Sequence, residues 1–200
     1  ISNGVRLNPP TGESSASVEA ATGIPPERSL VLFVGRIAPD KGVGDMLDTY
    51  DRLEEDCTFV LAGPLHDSPY GERLETYDSD KIQCLGYTNE SLLKKLYQRA
   101  DLFFFPTRTD VFPLVVLEAM AAKSPVISTT VGGIPEQVTD VTGILHEPGD
   151  HAAFSESINV LLRDEERRVE MGAAAFERVR SEFSWDAVSR TVAEEYQQLR

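Results

Sequence analysis

Residues 102–122 read LFFFPTRTDVFPLVVLEAMAA, and this segment gives the clearest indication of the fold class. Leu102 to Phe105 is an apolar run of strand length, and Pro106, which has no N–H to donate to a sheet, ends it. From Phe112 to Ala122 the apolar residues recur at helical spacing. A buried strand followed by a polar loop and a helix is typical of βαβ units, which build parallel sheets.

The same alternation continues outward from this segment in both directions. The predicted strands are 30–34, 58–62, 81–85, 102–105, 125–128 and 143–145, and the predicted helices are 45–53, 91–99, 112–122, 151–162, 165–180 and 185–199. Residues 8–17, which include Pro and Ser, are expected to form a loop. The order of elements predicts an α/β fold without an internal domain boundary: a Rossmann-like, doubly wound parallel sheet of about six strands, with helices on both faces.

The composition argues against several classes of partner. The 200 residues carry a formal net charge of -14, with a sequence pI of about 4.6, so nucleic acid and anionic lipid would repel the chain. No apolar run reaches the roughly 18 residues of a membrane helix, and no signal peptide is visible. Scattered acids and few lysines fit a salt-loving source or an ordinary acidic cytosolic domain equally well. A cytoplasmic location is expected, which could be at a membrane surface if a domain outside this chain binds there.

The cysteine usage indicates a reducing compartment. Cys57 and Cys84 lie in or beside apolar runs, so both are expected to be small core residues and not part of a disulfide or a metal site.

The loop after the first predicted strand, residues 34–42, carries two cations at the carboxyl edge of the sheet, where such folds bind ligands. Arg36 can grip phosphate oxygens with its planar fork, and Lys41 adds a mobile point charge. The glycine spacing matches neither the Rossmann fingerprint nor a P-loop. Two interpretations remain open: a phosphate site, or a solvated loop in which Lys41 pairs with Asp40 or Asp45.

Two carboxylates follow the fourth strand. Glu118 interrupts an apolar helical stripe formed by Leu114, Leu117 and Ala121, where a charge is costly unless a donor satisfies it. A sugar or ribose hydroxyl would serve, and the alternative is a buried pair with a neighbouring Arg or Tyr. Asp110 precedes the helix and could reach a ligand or cap the helix.

These features together resemble the family-4 (group 1) glycosyltransferases, which have the two-domain GT-B fold. The resemblance covers nearly the whole chain in a fixed order of motifs: SNGV at 2–5, VGR at 34–36, KG at 41–42, LAG at 61–63, LGY at 85–87, ADL at 100–102, LEAMA at 117–121, PVI at 125–127, GGIPE at 132–136, GIL at 143–145 and FSW at 183–185. It implies that residues 1–200 form one donor-binding domain, one half of a GT-B fold. Because the chain starts at Ile1 and not at Met, it is expected to be cut from a longer protein whose N-terminal acceptor domain is missing.

The resemblance also implies roles for individual residues. Arg36 and Lys41 would hold the donor diphosphate, Glu118 the ribose and Asp110 the transferred sugar. The further donor-binding residues expected are Gly35, Tyr87, Phe112, Pro113, Leu114 and Gly133, with Tyr87 beside the base. The family transfers a hexosyl group with retention, and the GT-B fold needs no metal or other cofactor, because protein cations stabilise the leaving diphosphate. A nucleotide sugar and the missing domain are thus the expected partners, and the isolated domain is expected to be inactive.

Three positions depart from the family pattern. Asp110 stands where the family usually has Glu, and Val111 and Pro113 stand where it usually has Gly. Pro113 has no N–H, so a backbone hydrogen bond to the donor cannot form there. Two rival functions stay open. One is another GT-B enzyme, such as a sugar-nucleotide epimerase, which shares the fold, and the other is a non-catalytic nucleotide-sugar-binding module, which Val111 and Pro113 support.

Other ionisable residues give weaker signals. Asp78 and Asp80 resemble the metal-binding acid pair of the other glycosyltransferase fold, but they precede a strand and so lie at the amino end of the sheet. Asp150 is expected to cap a helix. The histidines lack the spacing of metal ligands: His66, His146 and His151.

Overall fold

The computed structural model describes residues 4–7, 14–65 and 69–198, and within them six strands form one parallel sheet. The strands are β1 (Ser29–Val34), β2 (Cys57–Ala62), β3 (Ile82–Gly86), β4 (Leu102–Phe105), β5 (Val126–Thr129) and β6 (Gly143–His146). Their order across the sheet is β3-β2-β1-β4-β5-β6, and all neighbours pair in parallel. The predicted doubly wound sheet is confirmed.

Helices follow most of the strands and cover both faces of the sheet. Along the described chain they are α1 (Ser14–Thr22), α2 (Val43–Tyr50), α3 (Gly71–Leu74), α4 (Glu90–Arg99), α5 (Leu114–Ala121), α6 (Ile134–Gln137), α7 (His151–Arg163), α8 (Glu165–Arg178) and α9 (Trp185–Gln198). A 3-10 turn, Pro39–Lys41, precedes α2, and a π-helical turn, Val179–Phe183, joins α8 to α9. Among the described residues, no helix is both long and apolar enough to cross a bilayer.

The loop predicted for residues 8–17 is wrong where the structure describes it, because α1 begins at Ser14; residues 8–13 lie outside the described part. The helix has a single large apolar residue, Val18, which is fully buried. Its sequence therefore lacks the apolar stripe by which a helix is recognised. Packing against α4 holds it instead, with Lys95 Nζ of α4 3.0 Å from Ser17 Oγ.

Helix α5 begins two residues later than predicted, at Leu114, with Pro113 in the N-cap position at φ -70° and ψ 119°. Proline disfavours helical geometry in the residue before it, which keeps Phe112 outside the helix. The predicted helix 165–180 likewise ends early, because α8 gives way to the π-helical turn after Arg178. The four-residue helices α3 and α6 are too short to produce a periodic pattern in the sequence.

Three consecutive phenylalanines in β4 fill the core on both faces of the sheet. Phe103 and Phe105 lie on one face, where the Phe103 ring is 5.8 Å from that of Tyr97 in α4. Phe104 points the other way, with its ring centroid 5.1 Å from Phe154 of α7 and 6.1 Å from Phe59 of β2. Both faces are apolar because each is covered by helices.

The two cysteines differ in environment. Cys57 at the start of β2 is buried, as predicted, but Cys84 is exposed. The prediction for Cys84 is wrong because β3 is the edge strand of the sheet, so residues on it are covered less than those of the central strands.

The strand order creates a crevice at the carboxyl edge of the sheet. From β1 the chain proceeds outward through β2 and β3, and it then returns to β4 on the other side of β1. The loops after β1 and β4 therefore leave neighbouring strands in opposite directions, which is where ligands bind in doubly wound sheets.

Replacing Phe104 by Ala is expected to lower the free energy of unfolding by about 3–5 kcal/mol, because a cavity would open between β4 and α7. Urea denaturation would measure the loss. Val169→Ala on the exposed surface of α8 is the control, with an expected change below about 0.5 kcal/mol. A loss for Phe104→Ala as small as that of the control would contradict this description of the core.

Candidate functional site

The loop after β1 lies directly against the end of β4. Gly42 has a left-handed backbone with φ 73°, and a Cβ atom there would sit 1.7 Å from the carbonyl oxygen of Pro106. Only glycine fits this approach. The Asp40 carbonyl accepts hydrogen bonds from the N–H of Arg108 at 3.0 Å and of Thr109 at 3.3 Å. The turn that carries Lys41 is thus attached to the loop that carries Asp110.

Two predicted site residues, Lys41 and Asp110, form an ion pair, with Lys41 Nζ 2.7 Å from Asp110 Oδ2. Both side chains are mostly buried, whereas the nearest Asp40 oxygen is 3.9 Å from the same nitrogen. Lys41 therefore pairs with Asp110 more closely than with either of the neighbours considered from the sequence. Asp110 does not cap α5, whose N-cap is Pro113 and carries no side-chain cap.

Arg36 stands beside this pair at the crevice. Its guanidinium is exposed and lies 2.9 Å from Asp40 Oδ2. An exposed ion pair of this kind is weak, typically below about 1 kcal/mol. Gly35 precedes it at the end of β1, with its N–H bonded to the Ala62 carbonyl at 3.0 Å.

Glu118 is half-buried on the second turn of α5 and accepts a hydrogen bond from the Tyr97 hydroxyl at 2.9 Å. This contact is the alternative that the sequence left open, a pair with a neighbouring tyrosine. Burial raises the pKa of Tyr97 well above its usual value, and the charge of Glu118 raises it further. Tyr97 is thus a permanent donor to Glu118 Oε2. The other carboxylate oxygen, Oε1, accepts no hydrogen bond from any residue in the described part of the chain.

A cavity of about 510 Å³ opens beside Glu118. Helix α5 contributes Leu114 and Glu118, α4 contributes Glu90, Leu93, Lys94 and Tyr97, and residues 4–7 and Trp185 complete the wall. Arg36, Lys41 and Asp110 do not line this cavity. The predicted residues therefore lie in two places. Arg36, Lys41 and Asp110 lie at the ends of β1 and β4, and Glu118 lies on the second turn of α5. The short segment 110–118 connects the two places.

The remaining predicted donor contacts mostly touch protein. The Pro113 carbonyl accepts from Gln137 Nε2 at 3.1 Å, and Phe112 packs on Phe183 with ring centroids 6.0 Å apart. Gly133 donates its N–H to the Val111 carbonyl at 2.7 Å. Leu114 reaches the cavity, and Tyr87 is exposed beyond β3.

Glycines 132 and 133 let the loop after β5 lie against the backbone of Asp110 and Val111. A Cβ atom on Gly132, whose φ is 57°, would be 1.9 Å from the Asp110 carbonyl oxygen. On Gly133 it would be 2.7 Å from the Phe112 ring. Contact with protein therefore accounts for both glycines, and the loop after β5 supports the position of Asp110.

A cluster of charged side chains around Asp45 was not predicted from the sequence. This carboxylate, 3 % exposed, lies 2.7 Å from both Arg108 Nε and Arg108 Nη2 and 2.8 Å from His151 Nε2. Burial alone would raise the pKa of Asp45, but the hydrogen bonds and charges of Arg108 and His151 outweigh it, and the pKa is lowered. An acid on the packed face of α2 was the only available signal, because its partners are 63 and 106 residues away.

The other ionisable residues have local roles. Asp150 caps α7 as predicted, accepting from the Ala153 N–H at 3.0 Å. His146 bonds to Ser157 Oγ at 2.8 Å, and burial lowers its pKa. Asp78 lies before β3, at the amino end of the sheet, 3.6 Å from Lys81. His66 is outside the described residues.

The chain is similar in sequence and in fold to known glycosyltransferases. Residues 15–178 match the family model described as glycosyl transferases group 1. The chain is 32 % identical over 201 residues to alpha-maltose-1-phosphate synthase of Mycolicibacterium smegmatis, a match that covers 92 % of this chain and 51 % of that protein. The chain thus spans about half the length of the curated relatives it matches.

Solved structures show the same fold. Sucrose-phosphate synthase from Thermosynechococcus elongatus superposes with a TM-score of 0.84 at 27 % identity, over 100 % of this chain and 52 % of that one. Anabaena HepE, solved with UDP-glucose, gives a TM-score of 0.86 at 20 % identity, over 99 % of this chain and 57 % of that one. The sheet described above is therefore one half of a GT-B architecture.

The lowered pKa of Asp45 predicts a specific acid response. Because the fold favours the ionised carboxylate, its stabilisation is complete above the ordinary pKa of about 3.8 and is lost as the pH falls below that value. Asp45→Asn is expected to be less stable than the wild type near about pH 6 and to lose less stability on acidification to about pH 2.5. Thermal unfolding over this range would test it, and parallel curves for the two proteins would contradict it.

Proposed function

This chain belongs to the group 1 glycosyl transferases, and from that premise we propose that it is the donor-binding half of the enzyme. The full protein would transfer a hexosyl group from a nucleotide-diphospho-sugar to an acceptor with retention of configuration. One observation carries the proposal: at the crevice between β1 and β4, Lys41 pairs with Asp110 and Arg36 pairs with Asp40, directly before Lys41. Helix α5, which follows Asp110, places Glu118 in the wall of a cavity.

The cations suit a diphosphate because each can engage it at low cost. Within the described residues, the Arg36 guanidinium has one hydrogen-bonding partner, the exposed carboxylate of Asp40, which a phosphate can replace. Lys41 has three N–H donors, so it can bind a phosphate oxygen while it keeps Asp110. That arrangement would hold the Asp110 carboxylate next to the phosphate, where the donor sugar is attached.

The cavity on the other side suits a nucleoside. Tyr97 donates a hydrogen bond to Glu118 Oε2. Oε1, which accepts no hydrogen bond from the described residues, could accept one from a ribose hydroxyl. Leu93 and Leu114 give the cavity apolar wall area for a base, and the exposed Tyr87 is the further candidate for base contact. The segment from Asp110 to Glu118 would then span the donor from sugar to ribose.

Charge stabilisation is the chemistry that these residues can supply. When the bond between the sugar and the diphosphate breaks, negative charge grows on the leaving phosphate. Arg36 and Lys41 would stabilise it from fixed positions, which lowers the barrier without a metal. Retention of configuration is supported by the family resemblance alone.

An acceptor domain outside this chain completes the proposal. The matched relatives and solved structures are about twice as long, so their remaining half has no counterpart in these residues. The nucleotide-sugar class of the donor is supported by HepE, which shares the fold and was solved with UDP-glucose.

A second candidate function is a nucleotide-sugar-binding module without catalysis. Pro113 stands at the start of α5 and has no N–H, and Val111 projects an exposed apolar side chain beside the crevice. At these two positions the family usually has glycine. Compared with glycine, Pro113 lacks an N–H donor, and the Val111 side chain occupies space beside the crevice. Turnover by the full-length protein would decide between enzyme and module, and turnover of a nucleotide sugar without any acceptor would indicate an epimerase.

Titration of the chain with UDP, GDP and ADP, their sugars and the free nucleosides would test the donor site. Arg36→Ala and Lys41→Ala are each expected to weaken binding of a diphosphate by roughly 10- to 100-fold, because each loses a charged hydrogen bond worth about 1.5–3 kcal/mol. Nucleoside binding should change little. Glu118→Ala should instead weaken the nucleoside as well as the diphosphate.

Arg180→Ala is the matched control, since Arg180 is an exposed arginine paired with Glu177 in the turn between α8 and α9. It should leave every affinity unchanged. Equal losses of diphosphate and nucleoside in the Arg36 and Lys41 variants, or no binding by the folded wild type, would refute the proposal.

A further inference from the structure

We propose that Arg108 is a positioning residue for the donor site: it fixes the loop that presents Asp110 to Lys41, through a buried anchor at Asp45. The inference rests on the proposed function, because the site it serves is the diphosphate and sugar site defined there. Arg108 itself forms no hydrogen bond or ion pair with Lys41 or Asp110, and it acts through the backbone of its loop.

The anchor is Asp45, in the first turn of α2 and three residues beyond Gly42. Its carboxylate is almost fully buried and so needs strong compensation. Arg108 supplies two parallel N–H donors at 2.7 Å each, and His151 at the start of α7 adds a third contact at 2.8 Å. A guanidinium forms two parallel hydrogen bonds with one carboxylate, a bidentate geometry that the single ammonium group of lysine cannot reproduce.

Arg108 also holds the loop by its backbone. Its N–H donates to the Asp40 carbonyl at 3.0 Å. Asp40 comes directly before Lys41, while Asp45 lies just after the turn that contains Lys41. Arg108 therefore contacts the turn that carries Lys41 on both sides. Its backbone N–H binds Asp40, before Lys41, and its side chain binds Asp45, after Lys41.

The consequence is a fixed relation between the two loops. Asp110 follows Arg108 by two residues, so a loop held at Arg108 has little freedom to move Asp110 away from the Lys41 ammonium, which is 2.7 Å distant. Without the anchor the loop would sample other positions. The affinity for a diphosphate would then fall in proportion to the fraction of molecules in the competent arrangement.

The test compares Arg108→Met and Arg108→Lys in the same 200-residue chain, with Arg163→Met as the matched control. Arg163 has nearly the same side-chain exposure as Arg108, 51 % against 53 %, and it also contacts carboxylates, those of Glu54 and Glu55. It lies at the far end of α7 from His151, about 18 Å along the helix axis.

Two readouts are needed, UDP affinity and amide hydrogen exchange. Arg108→Met is expected to weaken UDP about tenfold if the competent arrangement falls to about a tenth of the molecules, with uridine binding unchanged and faster exchange in residues 107–112. Arg108→Lys keeps the charge but loses the fork, so it should recover only a small part of the affinity. Arg163→Met should match the wild type in both readouts.

The outcomes separate the inference from the proposed function. If the wild type binds UDP and Arg108→Met binds it equally well, or if Arg108→Lys restores full affinity, Arg108 does not act by position and the inference is overturned. If the wild type binds no nucleotide, the proposed function fails, and hydrogen exchange alone then decides whether Arg108 holds the loop. Unchanged exchange at 107–112 in Arg108→Met would overturn the inference in that case too.

Discussion

The backbone of the loop after β1 packs directly against the backbone at the end of β4, with no side chain between them. The positions of the other site residues depend on that contact. Gly42 makes it possible, since any side chain there would collide with the Pro106 carbonyl. The approach brings the Asp40 carbonyl within reach of the N–H groups of Arg108 and Thr109 and places Lys41 against Asp110. A sheet that reverses its order at β1 and β4 provides the crevice, and the glycine determines how closely its two walls approach each other.

Electrostatics at the crevice differ from those of the whole molecule. The chain as a whole is strongly acidic, with a net charge of -14, yet cations converge where the proposed ligand carries its phosphates. Each cation already has a carboxylate partner, so the site is organised before a ligand arrives. Such preorganisation limits the reorganisation that binding requires. A ligand phosphate can easily replace Asp40 as the partner of the exposed Arg36, whereas the buried contacts of Asp45 are not available to a ligand. Arg36 and Lys41 are therefore suited to bind a ligand, and the Asp45 cluster is suited to hold the loops in place.

The fold was largely predictable from sequence, because apolar runs such as Leu102 to Phe105 alternate with helical patterns, and that alternation is typical of a parallel sheet covered on both faces. Helix α1 was not, since a helix of small residues with one buried valine has no periodic stripe. Cys84 was misplaced because an apolar neighbourhood does not reveal which strand lies at the edge. Within the site, the resemblance predicted Arg36, Lys41, Asp110 and Glu118 as donor-binding residues. The contacts of Lys41 with Asp110 and of Glu118 with Tyr97 depend on packing between distant segments. The Arg108, Asp45 and His151 cluster could not be derived from spacing, because its members meet only after the sheet has formed.

Chemical-shift mapping of the amide groups during a UDP titration would show whether the crevice and the α5 cavity bind one ligand together. If the crevice between β1 and β4 and the cavity beside α5 form one donor site, amides of residues 35–42, 107–114 and the cavity wall shift together with one dissociation constant. A second cavity of about 380 Å³ lies at the amino edge of the sheet, where the strands begin, near Thr22, Arg28 and Asp80. Shifts confined to the amino edge of the sheet, or separate dissociation constants for the crevice and the α5 cavity, would show that these two places do not form one donor site.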